Sequence, residues 1–263
     1  MKLEKRLLDY SDILFHENLT SEKSGQKIGK WFVKFEKLVD LLLKLNYHID
    51  TSTPNEDRPE NWLFSFIHGK YLEAPYSLHI CNFLMKQGHY LNALIQLRSL
   101  LDYFVSCRYF HLHPEQIIPF MKGKKVQIGK KMVWLGTGYI YKFFSSEFYK
   151  KYYGDWLSCL SHGKGFESVY RVNRTETDSN VIMVPTFNLK HAFSLINHIV
   201  PIFYGYMKHR ETFFSERLLP LPVELQSSLD EWLDWSKKFH FEQAISHPAS
   251  KEWVKQLNHV IGI

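Results

Sequence analysis

The sequence predicts an all-α protein built as a helical bundle, and three observations lead to that prediction. Apolar residues recur at steps of three and four along nearly every long segment, which is the period of an amphipathic helix. No long stretch shows the strict alternation typical of strands. Hydrophobic residues make up 45% and aromatic residues 16% of the 263 positions, enough to build a core. We therefore expect a helical domain in which no sheet exceeds a short hairpin.

The first helix is expected over residues 27–49, and a polar stretch that begins at Asp50 ends it. The next helical segments are 62–73, 75–87, which ends before Gly88, 89–112, and a short one that opens at Pro114.

Residues 121–138 combine four glycines with five lysines and are expected to form a loop or a broken helix. After them the helical spacing returns in four segments, which are 139–162, 187–213, 221–239 and 249–259. Only the sequence VIMVP, from Val181, indicates extended chain in the polar connection that precedes 187.

Charge and cysteine content indicate which partners and which cellular compartment are compatible with this sequence. The net charge of +6 is compatible with anionic partners. Cys81, Cys107 and Cys159 form no CxxC pair and are expected to be apolar core residues of a reducing compartment. No secretory signal is recognised, and the most apolar stretch, from Phe193, is interrupted by polar residues. We therefore expect a cytoplasmic protein with no membrane contact.

The helix over 89–112 carries two charges on its apolar face. Arg98 and Asp102 fall between leucines at i and i+4, a spacing at which they can pair. One interpretation is a buried ion pair that fixes helix packing. The other is that Arg98 holds an anion such as a phosphate at the floor of a cleft.

His162 follows a predicted buried helical stripe and precedes two glycines, Gly163 and Gly165. It can end the helix by capping free carbonyls. Alternatively, because imidazole titrates near neutral pH, it can act as a general acid or base. No acid is placed so as to make a Ser-His-Asp triad visible, so a serine hydrolase is not favoured.

Arg108 and His113 form a second candidate pair. Four residues separate them, a spacing that resembles the one found in metal-independent helical ribonucleases. Elsewhere, His191 and His198 are seven residues apart without an ExxH or HExxH pattern. Because no GxxxxGK[ST] or GxGxxG motif occurs either, we expect no metal and no cofactor.

The densest positive charge lies in the glycine-rich segment, and it predicts either a solvated loop or an anion-binding surface. Its lysines, together with the one beside His162, are the candidate nucleic-acid contacts: Lys122, Lys124, Lys125, Lys130, Lys131 and Lys164.

Two stretches, one from Asn82 to Gln116 and one from Tyr152 to Gly165, resemble a family of bacterial and archaeal helical proteins grouped near the HEPN (higher eukaryotes and prokaryotes nucleotide-binding) superfamily. The family pattern A-x-x-L-x-R-x-x-x-[ED] and a helix ending in S-x-x-x-H-G fall here on Ala93, Arg98, Asp102, Ser158 and His162. The resemblance covers about residues 70–215. This chain departs from the usual ribonuclease signature in placing Arg98 and His162 on different helices.

The resemblance implies a HEPN-like helical core over 61–215, with N-terminal helices in 1–60 and C-terminal helices in 216–263 packed on it. It also implies that Arg98, Asp102 and His162 meet in space. Two functions follow as expectations: an effector of stress or phage defence that binds or cleaves RNA without metal, or a non-enzymatic interaction module. The expected partners are RNA or another anion, and a second copy or a partner protein.

Overall fold

A computed structural model of the chain describes residues 10–52, 61–150, 172–174, 179–181, 185–215, 220–246 and 259–260. Its helices are α1 (Tyr10–Ser52), α2 (Trp62–Lys86), α3 (Tyr90–Leu112), α4 (Ile117–Met121), α5 (Thr137–Phe144), α6 (Ser146–Phe148), α7 (Leu189–Phe214) and α8 (Val223–Ser246). A 3-10 turn, Pro114–Gln116, precedes α4. The strands are β1 (Val126–Ile128), β2 (Lys131–Val133), β3 (Val172–Arg174) and β4 (Ser179–Val181).

The all-α prediction is confirmed, since long helices form a bundle and the described strands form only two-stranded hairpins. α2 packs between α1 and α3, while α7 packs on α3 and on α8. The core is aromatic where these helices meet: the ring of Tyr206 lies 4.9 Å from that of Phe104 and 5.1 Å from that of Tyr71. Within the described ranges, no helix is long and apolar enough to cross a membrane.

α1 is longer than the sequence predicts and bends near the predicted start. Its backbone leaves the helical region at Ile28, with φ −132° and ψ 18°. After the bend, a stripe buried against the bundle follows steps of three and four. The members of this stripe are Phe32, Phe35, Leu38, Leu42, Leu45 and Ile49.

α2 runs through Pro75, where the sequence predicts a break between two helices. Proline has no N–H, so it leaves the carbonyl four residues earlier without its helical partner. That carbonyl belongs to Tyr71, and the buried side chain of Asn46 on α1 donates to it at 2.8 Å. The helix continues because a side chain from a neighbouring helix replaces the missing donor.

The turn between α2 and α3 depends on Gly88, as predicted. Gly88 has φ +87°, a left-handed conformation that favours glycine. Its N–H donates to the Met85 carbonyl at 3.2 Å, and the His89 N–H donates to the Leu84 carbonyl at 2.8 Å. These two bonds are a Schellman motif, which satisfies carbonyls at the helix end.

The lysine-rich segment forms a β-hairpin where the sequence predicts a loop or a broken helix. Val126 pairs with Val133 and Ile128 pairs with Lys131, so Gly129 and Lys130 make a two-residue turn. Gly129 has φ +58°, which suits the first central position of a hairpin turn. In the later connection, the described extended segments are β3 and β4. Val181, the first residue of VIMVP, ends β4, and residues 182–184 of that stretch lie outside the described residues.

Candidate functional site

Arg98 and Asp102 form the ion pair that their spacing on α3 predicts. Arg98 Nε lies 3.6 Å from Asp102 Oδ2, and the side chains are only 13% and 22% exposed. Both charges therefore lie at the margin of the core, where desolvation is costly and pairing reduces that cost.

Tyr141 of α5 completes this cluster. Its hydroxyl donates to Asp102 Oδ1 at 2.9 Å, so the carboxylate is approached by a different donor at each oxygen. The phenol ring is fully buried and stacks on Phe148 at 5.6 Å between ring centroids. We refer to Arg98, Asp102 and Tyr141 as the Asp102 cluster.

Burial controls the acidity of the Asp102 cluster. Desolvation raises the pKa of Asp102 from 3.8 to about 6, while the Arg98 guanidinium and the Tyr141 hydroxyl both act to lower this pKa. A carboxyl group with this pKa exchanges a proton close to neutral pH. Such a group can serve as a general acid or base if a substrate reaches it.

His162 and Lys164 lie outside the described residues, as do Ser158 and Cys159. That Arg98, Asp102 and His162 meet in one pocket stays a prediction. The expected role of His162, whether as a helix cap or as an acid or base, stays a prediction as well.

Five exposed lysines lie on the hairpin formed by β1 and β2 and on the chain that leads into it: Lys122, Lys124, Lys125, Lys130 and Lys131. Next to them, Trp134 is 65% exposed, and its ring centroid lies 6.0 Å from Lys125 Nζ. The hairpin is anchored because Val126 and Leu135 are buried in the core. We refer to this surface, lysines and Trp134 together, as the lysine hairpin.

Arg108 and His113 are both engaged in packing contacts. Arg108 donates to the backbone carbonyls of His259 and Val260, and its guanidinium lies 4.4 Å from the centre of the Phe144 ring. His113 follows the last residue of α3, and its Nδ1 lies 3.4 Å from Glu115 Oε1. These contacts give Arg108 a structural role, and the pair stays a prediction as an RNA-cleaving site.

Sequence reasoning missed a buried hydrogen-bonded chain across three helices. Tyr71 Oη on α2 lies 2.9 Å from His209 Nδ1 on α7, and His209 Nε2 lies 3.1 Å from His111 Nδ1 on α3. Burial, together with the charges of His111 and Arg108, lowers the pKa of His209 to about 3. The neutral imidazole therefore serves as a bridge that links α2, α7 and α3.

The two histidines considered as metal ligands are engaged in other ways. His198 Nδ1 lies 2.5 Å from the Ser194 carbonyl on the same helix, and the His191 ring packs against Tyr90. Across the described ranges, no three His, Cys, Asp or Glu side chains are grouped so that they could hold a metal ion. Cys81 and Cys107 are buried free thiols, as the sequence predicts.

Neither a family model, nor a curated protein, nor a solved structure matches this chain.

Proposed function

We propose that this protein binds single-stranded RNA through the lysine hairpin, as a HEPN-like effector of stress or phage defence in the cytoplasm. The observation that carries the proposal is the exposed Trp134 beside five exposed lysines on an anchored hairpin. Lysines attract backbone phosphates, and an exposed indole offers a face on which a base can stack.

The stacking requirement favours single-stranded over double-stranded RNA. Bases in a duplex are already stacked, whereas unpaired bases can be splayed onto an aromatic side chain. Met132 is also largely exposed beside Trp134 and extends the apolar platform.

The hairpin leads directly into the Asp102 cluster. Three residues separate Val133, at the end of β2, from Thr137, at the start of α5, so the two Cα atoms are at most about 14 Å apart. Tyr141, which bonds Asp102, lies one turn into α5. RNA on the lysine hairpin is therefore close to the acid of this cluster, and cleavage with His162 as the acid or base is the catalytic form of the proposal.

The second candidate is a non-enzymatic interaction module, and the Asp102 cluster favours it. Arg98 is already paired with Asp102 at 3.6 Å, so it must exchange this partner before it can hold a phosphate. A cluster that is closed in this way specifies how α3 and α5 pack together.

RNA affinity as a function of salt tests the binding proposal. In the triple variant Lys124→Gln, Lys125→Gln and Lys130→Gln, we expect the slope of log Kd against log salt to fall by about 2, from about 0.7 per lost phosphate contact on a single strand. Trp134→Leu should weaken binding by about 1–3 kcal/mol without changing the slope. A matched control removes three α1 lysines, Lys23, Lys27 and Lys30, by the same substitution.

If the slope of log Kd against log salt falls equally in the hairpin triple variant and in the α1 control, the proposal is contradicted. The loss would then reflect the net charge of the protein and not contacts made by the hairpin. Unchanged affinity in Trp134→Leu would contradict stacking. Preference for duplex over single strands would contradict the choice of RNA conformation.

His162→Ala separates the catalytic form of the proposal from the interaction module. If His162 transfers a proton, the variant should lose RNA cleavage while its thermal midpoint stays nearly unchanged. If His162 has a structural role, the variant should lose about 1–3 kcal/mol of stability through an unsatisfied partner, and no reaction should change. The two measurements are made on the same variant.

A further inference from the structure

Arg210, on the last two turns of α7, is a buried cation that forms no ion pair with the residues that the structure describes. It is 5% exposed, and its Nε and Nη2 are enclosed without a hydrogen-bond partner within the described part of the chain. A buried guanidinium is costly unless it is paired and hydrogen-bonded. Burial lowers the pKa of Arg210 to about 10, with Tyr71 and Glu211 acting in the opposite direction, so the group remains charged at neutral pH.

Arg210 lines a cavity of about 380 Å³, formed by residues of α1, α7 and α8 and by described residues of the connection between α7 and α8. This volume falls within the range of small-molecule sites, which are mostly apolar with a few polar groups. The apolar part of the wall comes from Phe214, Leu221 and Leu229, and His48 adds a polar group. The cavity thus combines an apolar wall with one buried cation.

The charges around the cavity limit the ligand to a single negative charge. Glu211 also lines the cavity, and its carboxylate accepts a hydrogen bond from Lys208 Nζ at 2.8 Å. Among the described lining residues, a phosphate dianion would face this carboxylate with one guanidinium in support. A carboxylate carries the one charge that Arg210 needs, and guanidinium N–H donors match its two oxygens.

We infer that this cavity binds a small organic carboxylate with an apolar body, whose carboxylate pairs with the Arg210 guanidinium while the body packs against the partly exposed Leu221. The inference is independent of the RNA proposal, because it involves different helices and no lysine of the hairpin.

The probe is 3-phenylpropionate, compared with 3-phenylpropan-1-ol and inorganic phosphate by calorimetry and by thermal midpoint. We expect the carboxylate to bind saturably and raise the midpoint, and the alcohol and phosphate not to do so. Arg210→Met should weaken carboxylate binding about ten- to hundredfold, which is the value of a charged hydrogen bond. Without ligand, the same variant should melt at or above the wild-type temperature, because it removes a buried unpaired charge.

Two further variants sharpen the test. Lys190→Met removes a charge from an exposed position on the same helix and should bind like the wild type. Gln226→Trp narrows the cavity from α8 while keeping Arg210, and it should weaken binding even if Arg210→Met does not fold. Wild-type-like affinity in Arg210→Met or Gln226→Trp, absence of carboxylate binding to the wild type, or equal binding of phosphate through Arg210 would each overturn the inference.

Discussion

Asp102→Asn tests whether burial or the Arg98 charge has the larger effect on the pKa of Asp102 in the folded chain. The unfolded chain releases the Asp102 proton near pH 3.8, whereas in the folded chain desolvation raises the pKa to about 6. Raising the pH between these values therefore favours the unfolded state, and stability falls as the pH rises. The difference of about two pKa units corresponds to about 3 kcal/mol at pH 7.

Asparagine keeps the shape and the oxygen that accepts from Tyr141, but it has no proton to release. We expect the free energy of unfolding of the wild type to fall relative to that of Asp102→Asn by about 2 kcal/mol or more between pH 4 and pH 7. Urea unfolding followed by tryptophan fluorescence at each pH gives this difference.

The matched control is Asp40→Asn, at an exposed carboxylate that pairs with Lys44 at 2.7 Å. Exposed ion pairs contribute little to stability, so Asp40→Asn should change the free energy of unfolding by no more than about 0.5 kcal/mol. If the difference in free energy of unfolding between the wild type and Asp102→Asn does not change with pH, the pKa of Asp102 is not raised by folding. If the wild type instead becomes more stable relative to Asp102→Asn as the pH rises, the Arg98 charge has a larger effect on the pKa of Asp102 than desolvation.

Further predictions concern the same cluster and the turn after α2. Tyr141→Phe should cost about 1–2 kcal/mol and extend the pH-dependent fall in stability to higher pH, because it removes a donor that lowers the pKa of Asp102 in the folded chain. Gly88→Ala should destabilise the fold by more than about 1 kcal/mol, since φ is +87° and the new Cβ would lie 3.0 Å from the Thr186 carbonyl oxygen. Gly69→Ala, in an open position within α2, should instead stabilise it by about 0.5–1 kcal/mol.

The helical period predicts the long helices because their burial follows local spacing. α1 after Ile28 and α3 bury residues at steps of three and four, whereas α7 is buried on all sides from Ile199 to Met207. The continuous α2 could not be predicted, because Pro75 is tolerated only through Asn46, which is 25 residues from Tyr71 and reaches it after α1 and α2 have packed.

The hairpin was not predictable for a different reason. Each of its strands has only three residues, too few to show alternation, and the surrounding lysines and glycines are typical of loops. The buried anchors Val126 and Leu135 are the signal that the sequence does carry, since isolated apolar residues in a charged segment suggest attachment to a core.

The site was predictable where its members lie on one helix. Arg98 and Asp102 are visible as a pair at i and i+4 on an apolar face. Tyr141 is 39 residues from Asp102 and meets it only because α5 packs on α3. Its signal is a tyrosine within the aromatic run of α5, whose hydroxyl needs a partner once it is buried.

The energetics of the Asp102 cluster bear on which proposed function is correct. If desolvation of Asp102 costs about 3 kcal/mol at pH 7, the ionised carboxylate does not serve stability at that pH. An interaction module would then retain it to specify how α3 and α5 pack, and Asp102→Asn would be more stable but would pack less uniquely. An RNA-cleaving protein would retain it for proton transfer, so that the same variant would be more stable, equally well packed and inactive. Methyl NMR spectra of Asp102→Asn, recorded beside its RNA cleavage, therefore distinguish the two functions on one protein.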